Sequence, residues 1–361
     1  MRLIRPLLVV RLGMLLLGLG LCLPVPLEAA QSSPSKKTTA GKKPTATRTT
    51  ASRPKRAKKP AYSASASKAR KARLARARAA ARAREAARMR ALAEAMTPRY
   101  KLDQNGQQVP DLRAAAAIVF NPLTGEVLWE ENAQDKRSIA SITKVMTTVV
   151  FLEDNPDLTE VITVGRPDVY AASTTYLKAG DRLTLNDVLH LTLIASDNAA
   201  ARILARVSHG GSASFIERMN EKAVELGLES TTFTDPSGLS PANISSAYDL
   251  SRLISFAASD ERISPIMRTP SYAVRTNRRT INIHSTNRLL LGGDVDVMGG
   301  KTGFISKAGY CLATLLRLPQ GNQVAVVVLG ARSNTGRFWE TRHLFNWISD
   351  KASVLFGKEP G

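Results

Sequence analysis

The sequence predicts a mixed α+β domain over residues 100–361, one antiparallel sheet covered by helices. Three observations carry this reading. Segments with strand-like alternation stand at both ends of that stretch, and apolar segments with helical spacing lie between them. The charge changes abruptly where it begins: residues 31–99 hold 21 basic and 2 acidic residues, whereas residues 100–361 hold 27 of each. The neutral body of 262 residues is long enough to bury a sizeable core. The net charge of +21 over 361 residues therefore lies ahead of the body, which excludes a uniformly basic nucleic-acid-binding fold. Aromatic residues make up 5% of the chain, too few for a base-stacking surface, so no nucleic-acid partner is expected.

Residues 1–30 read as an export signal. Arg2, Arg5 and Arg11 make a positive start, Leu12 to Leu23 carries no charge, and Pro24 and Pro26 precede a cleavage site at Ala29 or Ala30. The uncharged run is shorter than the roughly 20 residues that span a bilayer, which favours cleavage over a retained anchor. The protein is expected in the periplasm or cell-wall space, membrane-associated only if the signal stays. The bulky Leu21 before Cys22 argues against lipid attachment. Once the signal is removed Cys311 is left alone, and no internal disulfide can form.

Residues 31–60 are mostly Ser, Thr, Pro, Lys and Ala and are expected to be disordered. Residues 68–96 turn to Ala and Arg, both strong helix formers. Their composition is compatible with a solvated helix that has too little apolar surface to pack firmly. The tail, residues 31–99, suits a tether attracted to anionic wall polymer or membrane headgroups. It suits equally a spacer that its charge keeps soluble and extended.

In the body, Ala116-Ile118-Phe120 and Val127-Trp129 alternate around Asn121-Pro122-Leu123-Thr124-Gly125, a hairpin signature. Ile142, Val145, Met146, Val149 and Leu152 have helical spacing. Leu185–Ile194 and Ala199–Val207 read as buried helices, and residues 212–227 as an amphipathic one. Tyr310–Leu318 and Gln323–Leu329 read as strands around Pro319-Gln320-Gly321-Asn322. A last helix carries Phe338, Leu344, Phe345 and Trp347.

His190, His209, His284 and His343 are scattered without paired spacing, so no metal site and no cofactor is expected. No Gly-x-Ser-x-Gly elbow supports a Ser-His-Asp triad. The chemistry concentrates in three short motifs. Ser141-Ile142-Thr143-Lys144 opens an apolar helix, so Lys144 lies beside Ser141 one turn in. A serine hydroxyl needs a base to take its proton, and a lysine serves only when neutral. Taken alone, this motif fits a helix cap beside a surface lysine better, and Ser-x-x-Lys recurs at Ser33, Ser52 and Ser65 in the tail. Ser196-Asp197-Asn198 joins two buried helices and must satisfy its hydrogen bonds there; a helix junction would need the same, and Ser285-Thr286-Asn287 shares the spelling. Lys301-Thr302-Gly303 follows Gly299 and Gly300, small residues that allow close backbone approach beside a lysine and hydroxyl suited to a carboxylate. A Gly-rich edge strand explains it as well.

Together, and in this order, the three motifs resemble the set found in penicillin-binding proteins and class A β-lactamases. The chain resembles the low-molecular-mass penicillin-binding proteins, the D-alanyl-D-alanine carboxypeptidase and endopeptidase family, across roughly residues 113–350. Arg137 to Thr147, Asp235-Pro236-Ser237-Gly238-Leu239, and Lys301-Thr302-Gly303-Phe304 with Ala308-Gly309-Tyr310 look like family segments. The tail is not covered. The resemblance implies the transpeptidase fold of that group and acyl transfer on peptidoglycan stem peptides, with β-lactams as covalent inhibitors. Ser141 would be the nucleophile and Lys144 its base, kept neutral with the help of the charge on Lys301. Ser196 would relay a proton, and Asn198 would hold Lys144 and the substrate amide. Lys301 and Thr302 would bind the carboxylate beside the scissile bond, assisted by Arg337. Gly303 belongs to the same strand, and the backbone N–H groups of Ser141 and Phe304 would form the oxyanion hole. The chain ends soon after its last helix, and Phe304 is followed by Ala308-Gly309-Tyr310-Cys311-Leu312. Both features lean the resemblance toward the endopeptidase branch, with the carboxypeptidase as the alternative. A β-lactamase would need a glutamate in a water-holding loop, which Glu160, Glu217, Glu221 and Glu225 do not supply by motif. A silent wall-binding scaffold is the remaining alternative, against which the intact motifs argue.

Overall fold

The computed structural model describes residues 64–355. The expected export signal, its cleavage site and residues 31–63 of the tail lie outside the described residues. From Ser65 onward the described residues belong to one compact unit.

Helix α1 spans Ala64–Met96. From Lys68 onward its side chains are exposed except at Leu92 and Ala95, so no continuous stripe is buried. Its C-terminal end is tied down by an ion pair from Glu94 to Arg113 (3.1 Å) and by the Met96 carbonyl at 3.1 Å from His343 Nε2.

The body is built on a five-stranded antiparallel sheet. Its strands are β1 (Ala116–Phe120), β2 (Val127–Glu131), β3 (Asp296–Ile305), β4 (Gly309–Arg317) and β5 (Gln323–Ala331), in the order β3-β4-β5-β1-β2. The hairpin expected at 116–129 pairs as β1 and β2, with Gly125 at φ +76° in the turn. Both faces of the central strands are buried, because alternate residues enter different cores. Ile118, Ala313, Ala325 and Val327 face one core; Val119, Leu312, Val326 and Val328 face the other.

Over the first face lie α2 (Thr143–Glu153), α3 (Leu185–Leu193), α4 (Asn198–Val207), α5 (Gly211–Glu225) and α6 (Ala247–Ser259). Over the second lies α7 (Asn334–Leu355), which contributes Phe338, Leu344, Phe345 and Trp347. The sheet is therefore covered on both faces, with β3 as its edge. Helix α6 and a separate two-stranded hairpin, Ser271–Arg275 with Thr280–His284, were not distinguished in the sequence. Among the described residues no helix is long and apolar enough to cross a membrane.

The structure moves one expected helix start. Ser141 lies in a single turn of 3₁₀ helix, Ala140–Ile142, and α2 begins at Thr143. Ala140 has φ +49°, a left-handed conformation that turns the chain sharply before the helix. Ser141 is therefore not a helix cap: no side chain caps α2, and the serine hydroxyl is left for other partners.

Candidate active site

Three segments meet at the edge of β3. The Ser141 turn approaches β3 closely enough that only a glycine fits at 303: a Cβ there would stand 2.6 Å from the Ile139 carbonyl oxygen and 3.3 Å from the Ile142 nitrogen. Gly303 thus admits the Ser141 turn, whereas Gly299 faces Met267 and Ala258, and Gly300 faces Asn287 and Thr314. Gly238 is required on the opposite side, with φ +80° and a Cβ position 2.0 Å from the Ala140 oxygen and 2.9 Å from the Ser141 nitrogen. The turn is clamped between two glycines.

Lys144 is fully buried, yet its amine meets three polar atoms. Nζ stands 3.0 Å from Ser141 Oγ, 2.6 Å from Asn198 Oδ1 and 2.5 Å from the Ser237 carbonyl oxygen. The amide of Asn198 is oriented by its Nδ2, which donates to the Ala172 carbonyl at 2.8 Å. Asn198 Oδ1 and the Ser237 carbonyl can only accept. A neutral amine has two N–H donors and one lone pair. With both donors spent on those oxygens, the lone pair is left for the Ser141 hydroxyl. Burial lowers the Lys144 pKa from its usual value to about 7, against the opposing pull of Asp197 and Asp235 and with a smaller push from Arg202.

Ser196 and Asn198 come from the junction of α3 and α4. Asp197 caps α4, accepting from Ala200 N at 3.0 Å, so the junction's ordinary structural need is met by the residue between the two candidates. Its other oxygen accepts from Tyr176 N at 2.6 Å, and Asn198 N donates to the Thr174 carbonyl at 3.0 Å. Residues 170–177 are thereby held as a wall over the site. Burial raises the Asp197 pKa, and its hydrogen bonds oppose the rise. Ser196 adopts φ +59°, a strained conformation for a residue with a Cβ. It places Oγ 2.8 Å from Lys301 Nζ.

Lys301 is 1% exposed and also contacts the Thr302 carbonyl at 2.9 Å. Burial pushes its pKa well down, and the neighbouring Lys144 and Arg337 push it further. Burial is the largest cause that lowers Lys144, and two buried amines this close disfavour each other's charged form. Thr302 Oγ1 pairs with Thr286 Oγ1 at 2.6 Å, so the competing Ser285-Thr286-Asn287 segment backs the third motif instead of replacing the second. Phe304 is 49% exposed at the mouth and stacks on Tyr310 at 4.2 Å.

Arg337 lies beneath β3. It is 6% exposed, and its guanidinium donates to the carbonyls of Gly303 (2.9 Å) and Cys311 (3.2 Å) and to Asn334 Oδ1 (2.6 Å). It braces β3 and β4 from within. Burial lowers its pKa to about 10.

Two contributors carried no sequence signal of their own. The first is the Ser237 carbonyl, because any residue has one. It is aimed by Asp235, whose Oδ1 accepts from Ser237 N (2.6 Å), Ser237 Oγ (2.6 Å) and Gly238 N (2.8 Å). The second is Asn243, whose side chain bridges Thr143 Oγ1 (2.9 Å) and the Asp235 carbonyl (2.8 Å), pinning that loop to α2. The histidines have other surroundings: His190 stacks on Tyr272 and His343 meets α1. Among the described residues no cluster of His, Cys, Asp and Glu could hold a metal ion.

The comparisons with known proteins agree with this geometry. Residues 103–333 match the family model described as D-alanyl-D-alanine carboxypeptidase. A D-alanyl-D-alanine endopeptidase of Pseudomonas aeruginosa is 33% identical over 245 residues, covering 66% of this chain and 78% of that protein. A D-alanyl-D-alanine carboxypeptidase of Escherichia coli is 34% identical over 257 residues, covering 66% of this chain and 62% of that one. Among solved structures, the Streptomyces K15 DD-transpeptidase is similar with a TM-score of 0.63 at 29% identity, covering 66% of this chain and 97% of the other. With its sheet, its edge strand and its buried lysine beside a serine, the chain belongs to the D-alanyl-D-alanine carboxypeptidase family of serine peptidases, the low-molecular-mass penicillin-binding proteins.

Proposed function

We propose that the protein is a D,D-endopeptidase that opens peptidoglycan cross-links through an acyl-enzyme on Ser141. The observation that carries the acyl-enzyme mechanism is the buried Lys144 amine, with two acceptor-only partners and one hydroxyl. As Ser141 Oγ attacks the D-alanine carbonyl, Lys144 takes the hydroxyl proton. The tetrahedral oxyanion is met by the backbone N–H groups of Ser141 and Phe304; losing one such donor typically costs about 3–4 kcal/mol in the barrier. The amine then leaves with a proton relayed through Ser196, and water releases the acyl group. Lys301 and Thr302 receive the carboxylate beside the scissile bond, whose charge favours the protonated form of Lys301. Arg337 keeps β3 in place for that contact.

The endopeptidase reading is supported by the names of the similar Pseudomonas aeruginosa, Haemophilus influenzae and Escherichia coli proteins. The same site suits a carboxypeptidase, as the similar Escherichia coli carboxypeptidase indicates. We place the protein in the periplasm or cell-wall space and assign the basic tail to anionic wall polymer or a membrane surface.

The test is product analysis by mass with a soluble pentapeptide and a cross-linked muropeptide dimer. Loss of the dimer with the pentapeptide untouched is expected; release of terminal D-alanine alone would make it a carboxypeptidase. A fluorescent penicillin should label the wild type and not Ser141→Ala. A label that survives the substitution would place the nucleophile elsewhere.

A further inference from the structure

Beyond the catalytic motifs, one charged surface is connected to the active site by direct hydrogen bonds. The turn between the strands Ser271–Arg275 and Thr280–His284 lies against the segment Lys178–Arg182. Asn277 N donates to the Arg182 carbonyl at 3.0 Å, and Arg182 N donates to Asn277 Oδ1 at 2.9 Å. This docking brings Arg278 and Arg279 onto one carboxylate, Asp181, with Lys178, Arg182 and Arg275 in the same two segments. Asp181 is fully buried and is engaged by Arg279 (3.2 Å) and, at longer range, Arg278 (3.6 Å). Among the described residues Lys178, Arg182 and Arg275 form no ion pair, and with Arg278 all four are exposed. One buried carboxylate offsets at most one of five cations, so the surface is locally positive on a body whose charges sum to zero.

The patch is built rather than incidental. Gly180 has φ +81°, and the Arg278 guanidinium lies where its side chain would be, with Nη2 2.8 Å from the Cβ position. Arg278 Nη1 also donates to the Ala179 carbonyl at 3.3 Å. The link to catalysis is short. Arg279 Nη2 donates to the Tyr176 carbonyl at 2.8 Å, and Tyr176 N donates to Asp197, the residue between Ser196 and Asn198. The cations therefore flank the wall over the site.

We infer that this cationic rim is a secondary subsite that binds the carboxylates of the second stem peptide in a cross-linked substrate. The inference rests on the D,D-peptidase reading above and deepens it. Cutting a cross-link requires holding two peptides, and the Lys301-Thr302 contact recognises the carboxylate adjacent to the bond in either kind of substrate. Carboxylates further along the second peptide exist only in the cross-linked one. A tetrapeptide stem spans up to about 14 Å extended, and Tyr176 joins the rim to the Ser196–Asn198 segment through two hydrogen bonds. Exposed charge pairs are individually weak, about 0.2–1 kcal/mol, and several cations acting together give selectivity without a deep pocket.

The test uses the full chain and the variant Lys178→Ala/Arg182→Ala/Arg275→Ala/Arg278→Ala, which spares Arg279 and every residue of the catalytic constellation. Fluorescent-penicillin acylation of the variant should match the wild type, which shows that fold and nucleophile are intact. KM for the muropeptide dimer should rise about five- to tenfold at low ionic strength with kcat unchanged. KM for an N-acylated D-Ala-D-Ala peptide lacking other carboxylates should not move. The wild-type preference for the dimer should also fade as salt is raised. An unchanged KM for the dimer in a variant that still acylates normally would overturn the subsite alone. A variant with normal dimer KM but reduced binding to anionic phospholipid vesicles would overturn it in favour of a lipid-facing surface. Absence of penicillin labelling in the wild type would instead overturn the peptidase reading on which the subsite rests.

Discussion

Lys144 carries the most consequential chemistry at the scale of single residues. Burial costs an ammonium its hydration and so favours the neutral amine. With its pKa at about 7, the amine is the free base above that pH and charged below it. Acylation by a penicillin should therefore fall about tenfold per pH unit below roughly pH 6.5 and level off above about pH 8. A rate independent of pH between 5.5 and 8 would remove Lys144 as the base. Arg337 is bonded to the carbonyls of Gly303 and Cys311, beneath the strand that carries Lys301 and Thr302. Arg337→Ala leaves the Gly303 and Cys311 carbonyls without their donor, which should cost about 2–4 kcal/mol in urea unfolding. It should also raise KM for carboxylate-bearing peptides. Arg337→Lys, which keeps the charge but loses the fork, should recover only part of either loss.

At the scale of elements, the site depends on how closely two segments approach. Gly238 must be left-handed and leaves no room for a Cβ beside the Ala140 oxygen, whereas Gly125 is left-handed in a hairpin turn with open space around it. Gly125→Ala should cost only the backbone strain, about 1–2 kcal/mol, and acylate normally. Gly238→Ala should cost more than about 3 kcal/mol and slow acylation, because it displaces the Ser141 amide. Equal effects of the two substitutions would mean that the turn is not clamped. This scale is also where the sequence was read least completely. The apolar periodicities of 142–152, 185–194 and 199–207 predicted helices that exist with small shifts in bounds. Helix α6 and the 271–284 hairpin are elements that the expected set lacks, although Leu250, Leu253, Ile254 and Ala257 have helical spacing and Tyr272, Val274, Ile281 and Ile283 alternate as strands do. The start of α2 was misplaced, because a left-handed alanine at 140 leaves no trace in residue identity.

At the scale of the whole molecule, a neutral catalytic body carries a cationic helix of 33 residues with ten basic and two acidic side chains. Because α1 buries almost nothing, removing residues 31–98 should leave turnover of small peptides and the melting temperature nearly unchanged. Retention on intact wall material should drop. Unchanged sedimentation with wall sacculi would reduce the tail to a spacer.

What the sequence determined by itself was chemistry with a distinctive spelling: the Ser141–Lys144 spacing, the Ser196–Asn198 and Lys301–Gly303 motifs, and the two-part distribution of charge. Helical spacing alone brings Ser141 and Lys144 together, being a local property of a few residues. Only the tertiary structure decided the surroundings of that lysine. Its burial, the Ser237 carbonyl that consumes one of its donors, the strained Ser196 aimed at Lys301, and the inward role of Arg337 all come from segments far apart in the chain. Carbonyl oxygens, backbone angles and desolvation belong to no residue type, so they become visible only when the chain is folded.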